Sequence, residues 1–189
     1  MNVLETERLV LRELVTDDLD ALASIYADPD VRRFFPEGTL TVDETREELA
    51  WIIDVYYGRY GYGLWATVLK ETNVLIGRCG LLPWRVIPPR AAPLALDPAD
   101  EVPDAESRYE VELAYLLAKP FWGRGLGTEA ARSVVDHGFE RLRVPRIIGL
   151  IDPGNEASRR VAANAGLTID GEVELDGETF PLYSIARPR

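Results

Sequence analysis

The sequence predicts a mixed α/β fold, in which one central sheet contains both parallel and antiparallel strands and helices flank it. Residues 110–118 form a β-branched, aromatic and leucine-rich run typical of a buried strand, and an apolar set at helical spacing follows over residues 128–141. A further strand is predicted at residues 146–151, and a right-handed crossover would make it parallel to the first. Residues 172–175 and 179–186 then predict an antiparallel hairpin across an Asp-Gly turn.

Length and composition indicate a soluble globular protein. The 189 residues, 47% hydrophobic and 28% charged, predict one domain over residues 1–189. Apolar runs fall short of the roughly 18 residues of a membrane span, and the charged N-terminal stretch is unlike a signal peptide, so we expect a cytoplasmic protein with no membrane partner. With one cysteine, Cys79, an intramolecular disulfide and a cysteine metal cluster are excluded.

The charge balance argues against one class of partner. The chain carries 21 basic and 32 acidic residues, a net charge of −11, which disfavours nucleic acid and favours cationic partners. An acidic surface is also an ordinary means of staying soluble.

The N-terminal part predicts a strand and two helices. Residues 8–14 alternate apolar and polar side chains, as a half-buried strand does. Thr16 is expected to cap a first helix. Thr41 and Glu44 form a capping box for a second helix that runs to about Tyr57.

The middle of the chain predicts two strands and then an insertion. Residues 64–69 and 74–82 are strand-like and are joined by a four-residue turn. Residues 83–107 contain six prolines, which are expected to break up any helix or sheet, and this segment is longer than an ordinary hairpin loop. Such a loop is either functional or disordered. It holds five carboxylates within ten residues, which could attract a cationic molecule: Asp97, Asp100, Glu101, Asp104 and Glu106.

The loop between the strand at 110–118 and the next helix predicts a phosphate site. Glycine occupies every second position at Gly123, Gly125 and Gly127, so backbone amides can approach a ligand, and the helix N-terminus adds positive potential. A P-loop is excluded because no Gly-Lys-Ser/Thr follows. A dinucleotide site would use an acidic residue such as Asp152, but the glycine spacing differs from that fingerprint. A third interpretation is a pyrophosphate loop for coenzyme A.

This stretch resembles the GNAT superfamily of N-acetyltransferases. The match consists of Gly125-Leu126-Gly127 followed by Thr128-Glu129-Ala130, and Trp122 before it is similar to the RimJ/RimL branch, which acetylates protein N-terminal amines. Residues 155–158 also match the Asn-x-x-Ser of the family. The resemblance covers almost the whole chain apart from the proline-rich insertion.

The resemblance implies a fold, a cosubstrate and a binding site. The fold would be a mixed sheet of about seven strands, with its fourth and fifth strands splayed apart and about four helices around it. The cosubstrate would be acetyl-CoA, with no metal, and the pantetheine arm would lie between the splayed strands. The residues implied in coenzyme binding are Leu116, Leu117, Ala118, Trp122, Gly123, Arg124, Gly125, Leu126, Gly127, Thr128, Asn155 and Ser158.

The chemistry implied is direct transfer of an acetyl group to an amine in a ternary complex. We expect Glu112 to be the general base, with Glu110 in reserve, because the family commonly places a glutamate on this strand and burial would raise its pKa. Many members use a helix tyrosine as the acid, but that position corresponds here to Ala162, so Ser158 is the candidate. Each of these residues could instead have a structural role, as a solvated strand end or a first-turn serine.

The acceptor is expected to be a primary amine, on a protein N-terminus or a small cationic molecule. In the superfamily the first helices and their connection form one wall of the acceptor groove, so Phe34, Phe35 and Tyr60 are candidate substrate contacts, although they could simply pack a loop. Either a monomer or a homodimer is expected. Two other functions stay open: a noncatalytic acyl-CoA sensor and a dinucleotide-dependent oxidoreductase.

Overall fold

The computed structural model of the chain describes residues 2–86, 94–98, 109–175 and 178–188. The α-helices are α1 (Leu19–Tyr26), α2 (Val42–Trp51), α3 (Leu126–Glu140) and α4 (Glu156–Asn164). The strands are β1 (Asn2–Glu5), β2 (Leu9–Glu13), β3 (Leu64–Leu69), β4 (Val74–Val86), β5 (Leu94–Pro98), β6 (Tyr109–Leu117), β7 (Arg146–Leu150), β8 (Thr168–Leu175) and β9 (Glu178–Ala186). Short 3-10 turns lie at Thr16–Asp18 and Lys119–Phe121, and a π-helix at Ile52–Tyr60 continues α2. Within these ranges, the helices are too short or too polar to cross a membrane.

The described strands form one mixed sheet of nine strands in the order β1-β2-β3-β4-β5-β8-β9-β7-β6, and β4 also pairs with β6. The pairs β6–β7 and β5–β8 are parallel, and the others are antiparallel. The predicted mixed α/β fold and the parallel strand pair are therefore confirmed. Six strands, β4-β6-β7-β9-β8-β5, pair in a closed circuit, and one small apolar cluster comes from them: Val86, Ile148, Val173 and Leu182.

Strand β6 lies between the two larger apolar cores. Its Leu113 and Leu117 pack in the core that includes α3, whereas Leu116 packs with side chains of α1 and α2. Successive residues of a strand point to opposite faces, so β6 contributes to both layers at once. This central position places the end of β6 beside helices from each layer.

Two local predictions for the N-terminal region have different outcomes. The capping box is confirmed, because Thr41 Oγ1 accepts the backbone N–H of Glu44 and Glu44 accepts the N–H of Thr41. The prediction that Thr16 caps the first helix is wrong. Asp18 instead accepts the backbone N–H of Val15 at 2.9 Å and pairs bidentately with Arg12; a hydrogen bond to a carboxylate is stronger than one to a hydroxyl such as that of Thr16.

The prediction that prolines 83–107 break up any sheet is wrong for the part that the structure describes. Strand β4 continues through Pro83 to Val86, and β5 pairs antiparallel with its last residues. Pro98 is the last residue of β5 and lies beyond Leu94 and Ala95, the two residues that pair with β8, so its missing N–H is outside that pairing. Of the five acidic residues of this segment, Asp97 lies in β5, and the other four lie outside the described residues. The first strand, β1, was not predicted from the sequence. It pairs antiparallel with β2 as a hairpin.

Candidate active site

The glycine loop ends at the start of α3 with a glycine in the left-handed backbone conformation. Gly123 has φ 70° and Gly125 has φ 76°, conformations that favour glycine, and Gly125 is the N-cap of α3. The helix begins at Leu126, two residues before its predicted start at Thr128. The N–H groups of its first turn have no partner inside the helix, which is the condition for binding an anion.

A cavity of about 660 Å³ opens beside this loop. Ten of the twelve predicted coenzyme residues line it: Leu116, Leu117, Trp122, Gly123, Gly125, Leu126, Gly127, Thr128, Asn155 and Ser158. Ala118 and Arg124 are the two that do not line it, and the Arg124 guanidinium stacks at 5.7 Å from the Phe121 ring. The structure thus brings the end of β6, the glycine loop and the start of α4 around one space.

Trp122 has a defined role in the loop. Its indole Nε1 donates to the carbonyl of Leu117 at 2.7 Å, and 46% of the residue is exposed. The bond ties the loop back onto the last residue of β6. A tryptophan at this position therefore shapes the rim of the cavity through its hydrogen bond as well as its ring.

The wall formed by α4 is fixed by two hydrogen bonds. Asn155 Oδ1 accepts the backbone N–H of Ser158 at 3.1 Å, so Asn155 is the helix N-cap. The hydroxyl of Tyr115, which lines the cavity from β6, donates to the carbonyl of Ser158 at 2.6 Å. Tyr115 was not predicted from the sequence, because the bond joins residues 43 positions apart. Burial raises the pKa of this tyrosine.

The parallel strands β6 and β7 meet at one residue pair only, Glu112 and Ile148. From that point β6 continues towards the cavity through Tyr115 and Leu117 without pairing with β7. On its other side, every residue of β6 from Tyr109 to Leu117 is paired with β4. The gap beside β6 therefore begins at Glu112 and leads to the cavity.

Glu112 is enclosed at the start of this gap. It is 8% exposed, and its Oε2 accepts a hydrogen bond from Trp84 Nε1 at 2.7 Å. Burial raises the pKa of Glu112 to about 7, while hydrogen bonds from Trp84 and the backbone N–H of Leu150 lower it in part. Glu112 does not line the cavity. Its carboxylate is a group that changes protonation near neutral pH.

Glu110 lies two residues earlier on β6 and is also buried, at 4% exposed. Its Oε2 is 3.8 Å from Nε of Arg146 on β7, which makes it one side of an ion pair. The alternative that either glutamate is a solvated strand end is therefore wrong, because both carboxylates lie inside the sheet. The charge of Arg78 also lowers the pKa of Glu112, so both glutamates have a cationic residue nearby.

The three aromatic residues predicted as substrate contacts are not all together. Phe34 and Phe35 line the cavity from the connection between α1 and α2. Tyr60 is the last residue of the π-helix, 6.1 Å from the Tyr62 ring, and does not line the cavity. The structure thus brings Phe34 and Phe35 to the cavity, whereas Tyr60 lies elsewhere.

Buried arginines support the Phe34–Phe35 connection. The Arg32 guanidinium stacks 4.3 Å from the Phe35 ring and donates from Nε to the carbonyl of Gly38 at 2.7 Å. Arg78 of β4 is 5% exposed and donates to the hydroxyl of Tyr26. Each packs against Tyr26, so an aromatic and cationic stack forms the base of this wall.

Asp152 is occupied by a local turn. Its Oδ1 accepts the backbone N–H of Gly154 at 2.7 Å, and it does not line the cavity. In a dinucleotide site this acidic residue would face a ribose. Its position therefore gives no support to the oxidoreductase interpretation.

Comparison with known sequences and structures shows which protein family this chain resembles. The sequence profile of the acetyltransferase (GNAT) domain matches residues 8–168. The uncharacterized protein YkkB of Bacillus subtilis is 32% identical over 181 residues, which cover 95% of this chain and 93% of that protein. The uncharacterized N-acetyltransferase p20 of Bacillus licheniformis is 27% identical over 172 residues, which cover 90% of this chain and 85% of that protein.

Solved structures show the same similarity. An acetyltransferase from Agrobacterium tumefaciens matches with a TM-score of 0.72 at 28% identity, covering 96% of this chain and 92% of that chain. None of these three relatives is named as a RimJ or RimL enzyme, so that branch stays a prediction.

Proposed function

Because the chain belongs to the acetyltransferase (GNAT) family, we propose that it transfers the acetyl group of acetyl-CoA to a primary amine in the cytoplasm. The acceptor is a protein N-terminus, as in the RimJ/RimL branch, or a small cationic molecule. The observation that carries this proposal is the gap beside β6, which runs from the buried carboxylate of Glu112 to a cavity rimmed by backbone amides.

The cavity has the chemistry that coenzyme A requires. The pyrophosphate would lie against the N–H groups of the loop from Gly123 to Gly127 and the first turn of α3, where the helix dipole favours an anion. The pantetheine arm would lie along the end of β6, opposite the start of α4. Bound there, acetyl-CoA supplies a thioester carbonyl that an amine can attack.

Residues of this chain would then move the protons. As the amine nitrogen attacks the carbonyl, the carbon–sulfur bond breaks, and Glu112 takes a proton from the nitrogen. The pKa of Glu112, about 7, leaves much of this carboxylate ionised at neutral pH and still basic enough to accept that proton. Ser158, which lines the cavity on α4, would donate a proton to the leaving thiolate.

A noncatalytic acyl-CoA sensor is the second candidate, and one observation favours it. The carboxylate of Glu112 already accepts hydrogen bonds from Trp84 and Leu150 and does not line the cavity. A glutamate that only holds β4, β6 and β7 together would make the same hydrogen bonds and would also lie outside the cavity. A sensor would bind acetyl-CoA and leave it intact.

An amine panel with acetyl-CoA tests the proposal and separates the two candidates. The panel contains peptides with free N-termini, polyamines, aminoglycosides and amino acids, and free thiol is measured together with the mass of the acetylated product. We expect stoichiometric thiol and acetyl-amine for at least one acceptor. Binding of acetyl-CoA by calorimetry with no acetylated product from any amine would favour the sensor. Failure to bind acetyl-CoA would overturn both, and NAD serves as the ligand control.

A further inference from the structure

The N-terminal hairpin holds the glycine loop and α3 in a three-way contact. Glu129, in the first turn of α3, accepts from Thr6 Oγ1 at 2.5 Å, the backbone N–H of Arg8 at 2.8 Å and Arg8 Nε at 2.7 Å. A second guanidinium nitrogen of Arg8, Nη2, is 2.6 Å from Oε2, the same carboxylate oxygen that accepts from Nε, whereas Thr6 and the Arg8 backbone N–H donate to Oε1. Arg8 also donates from Nη1 to the backbone carbonyl of Arg124 at 3.0 Å. One side chain thus joins the hairpin to the loop and to the helix.

The bond from Arg8 to the carbonyl of Arg124 sets the direction of the next amide. That carbonyl and the N–H of Gly125 belong to one planar trans peptide, so they point in opposite directions. Since the carbonyl points at Arg8, the N–H of Gly125 points away from it. Gly125 lies between an open groove that Arg8 also lines and the cavity described above, which Arg8 does not line, so an N–H that points away from Arg8 points towards that cavity.

The positive charge of Arg8 is balanced by the carboxylate of Glu129. Its guanidinium contacts Oε2 of Glu129 through both Nε and Nη2, and the Glu129 side chain is 18% exposed. Burial works against ionisation, but hydrogen bonds from Thr6 and Arg8 hold the pKa of Glu129 below its usual range, so the partner stays charged. A neutralised pair adds little long-range attraction for phosphate, whereas the geometry of the fork is retained.

We propose that Arg8 is a positioning residue for the coenzyme: it fixes the Arg124–Gly125 peptide so that the Gly125 N–H faces the pyrophosphate. This inference rests on the proposed function, because it requires the cavity to hold coenzyme A. Glu129 acts one step further back, by holding the Arg8 fork in place. A polar contact between the N-terminal hairpin and the loop is thereby part of the binding site.

The test compares two substitutions and two ligands. Arg8→Ala removes the guanidinium and its charge, and Arg8→Lys keeps the charge but has one nitrogen, which cannot replace both the contacts to Glu129 and the bond to the carbonyl of Arg124. Affinity is measured by calorimetry for coenzyme A and, by competition at millimolar concentration, for pantetheine, which lacks the pyrophosphate. We expect both variants to raise the Kd of coenzyme A about fivefold to tenfold, with the Kd of pantetheine unchanged. Arg46→Ala, which removes an exposed ion pair on α2, is the charge-matched control.

Three results would overturn the inference. Wild-type affinity in Arg8→Lys would mean that charge alone matters and would overturn the inference, as would an equal loss for pantetheine and coenzyme A, which indicates general loosening. Unchanged affinity in Arg8→Ala also overturns it and leaves the proposed function intact. If the wild-type protein binds no coenzyme A, the proposed function fails first. Thermal unfolding of each variant establishes that it is folded.

Discussion

The two halves of β6 contrast in construction. Its last residues, from Tyr115 to Leu117, face an open cavity and lead into the glycine loop, where we propose that backbone amides bind the pyrophosphate. Its first half carries Glu110 and Glu112, both almost fully buried among neighbouring strands. The last part of β6 is therefore open to the cavity and leads to main-chain donors, whereas the first part is buried and presents carboxylate side chains.

The difference reflects two physical requirements. Binding a pyrophosphate needs several donors that stay exposed to an incoming ligand, and glycines with helix N-terminal amides provide them without burying a charge. A general base near neutral pH needs a carboxylate that is partly desolvated, and only enclosure provides that. Glu112 is held by Trp84 from β4 and Leu150 from β7, so the sheet itself sets its pKa.

The largest effect should come from the enclosed half. Glu112→Gln removes the proposed base and keeps the shape, so we expect kcat at pH 8 to fall about a hundredfold with the Kd of acetyl-CoA unchanged. The wild-type rate should fall as the pH drops below about 7, because Glu112 becomes protonated there. That fall should be absent from the variant, in which only the ionisation of the acceptor amine remains.

Glu110→Gln is the matched control, since Glu110 lies on the same strand and is equally buried beside Arg146. It should keep the fall in rate near pH 7. If Glu110→Gln loses that fall and Glu112→Gln keeps it, the base is Glu110. If both retain wild-type rates, positioning alone accounts for catalysis.

The next effect should come from the open half. A valine at Gly125 forces a β-branched residue into φ 76°, which L side chains rarely adopt, so the loop must shift; the added Cβ itself would lie at an ordinary contact distance, 3.5 Å, from Arg8 Nη2. We expect the Kd of acetyl-CoA to rise more than about tenfold, which is roughly 1.4 kcal/mol. Calorimetry on the folded variant measures it.

Gly61→Val is the control for backbone strain, because Gly61 has φ 71° and lies at the end of the π-helix, outside the cavity. It should lower thermal stability without changing coenzyme affinity. Equal affinity in wild type and Gly125→Val would remove the loop from the binding site and end the contrast between the two halves.

The smallest effect concerns the tie between β6 and α4. Tyr115→Phe removes the hydroxyl that bonds the carbonyl of Ser158, so we expect kcat to fall about threefold through poorer positioning of that serine, with coenzyme affinity nearly unchanged. Steady-state rates with a saturating acceptor measure it. In a Ser158→Ala background the same substitution should have no further effect on kcat.

Tyr183→Phe is a matched control, because the Tyr183 hydroxyl accepts from Nε of Arg159, another α4 residue, at 3.1 Å and lies outside the cavity. A rate loss in Tyr183→Phe equal to that in Tyr115→Phe would show that any tie to α4 matters. A full additional loss in the Ser158→Ala background would show that Tyr115 acts independently of Ser158.

Local features of this chain were predictable from the sequence alone. The capping box of Thr41 and Glu44 joins residues three apart, and the parallel pairing of β6 with β7 follows from the handedness of a single crossover. The glycine loop before α3 likewise depends on adjacent residues. These features involve short-range geometry, which residue type and spacing express directly.

Tertiary structure decided what surrounds the chemistry. Strand β5 forms in a proline-rich segment because β4 and β8 offer it partners on either side, which overrides the local tendency against sheet. The partners of Glu112, Ser158 and Glu129 come from residues 28, 43 and 121 positions away. Whether a glutamate has a pKa near 7 or a loop amide faces a ligand depends on such distant contacts, and residue spacing along the chain carries no record of them.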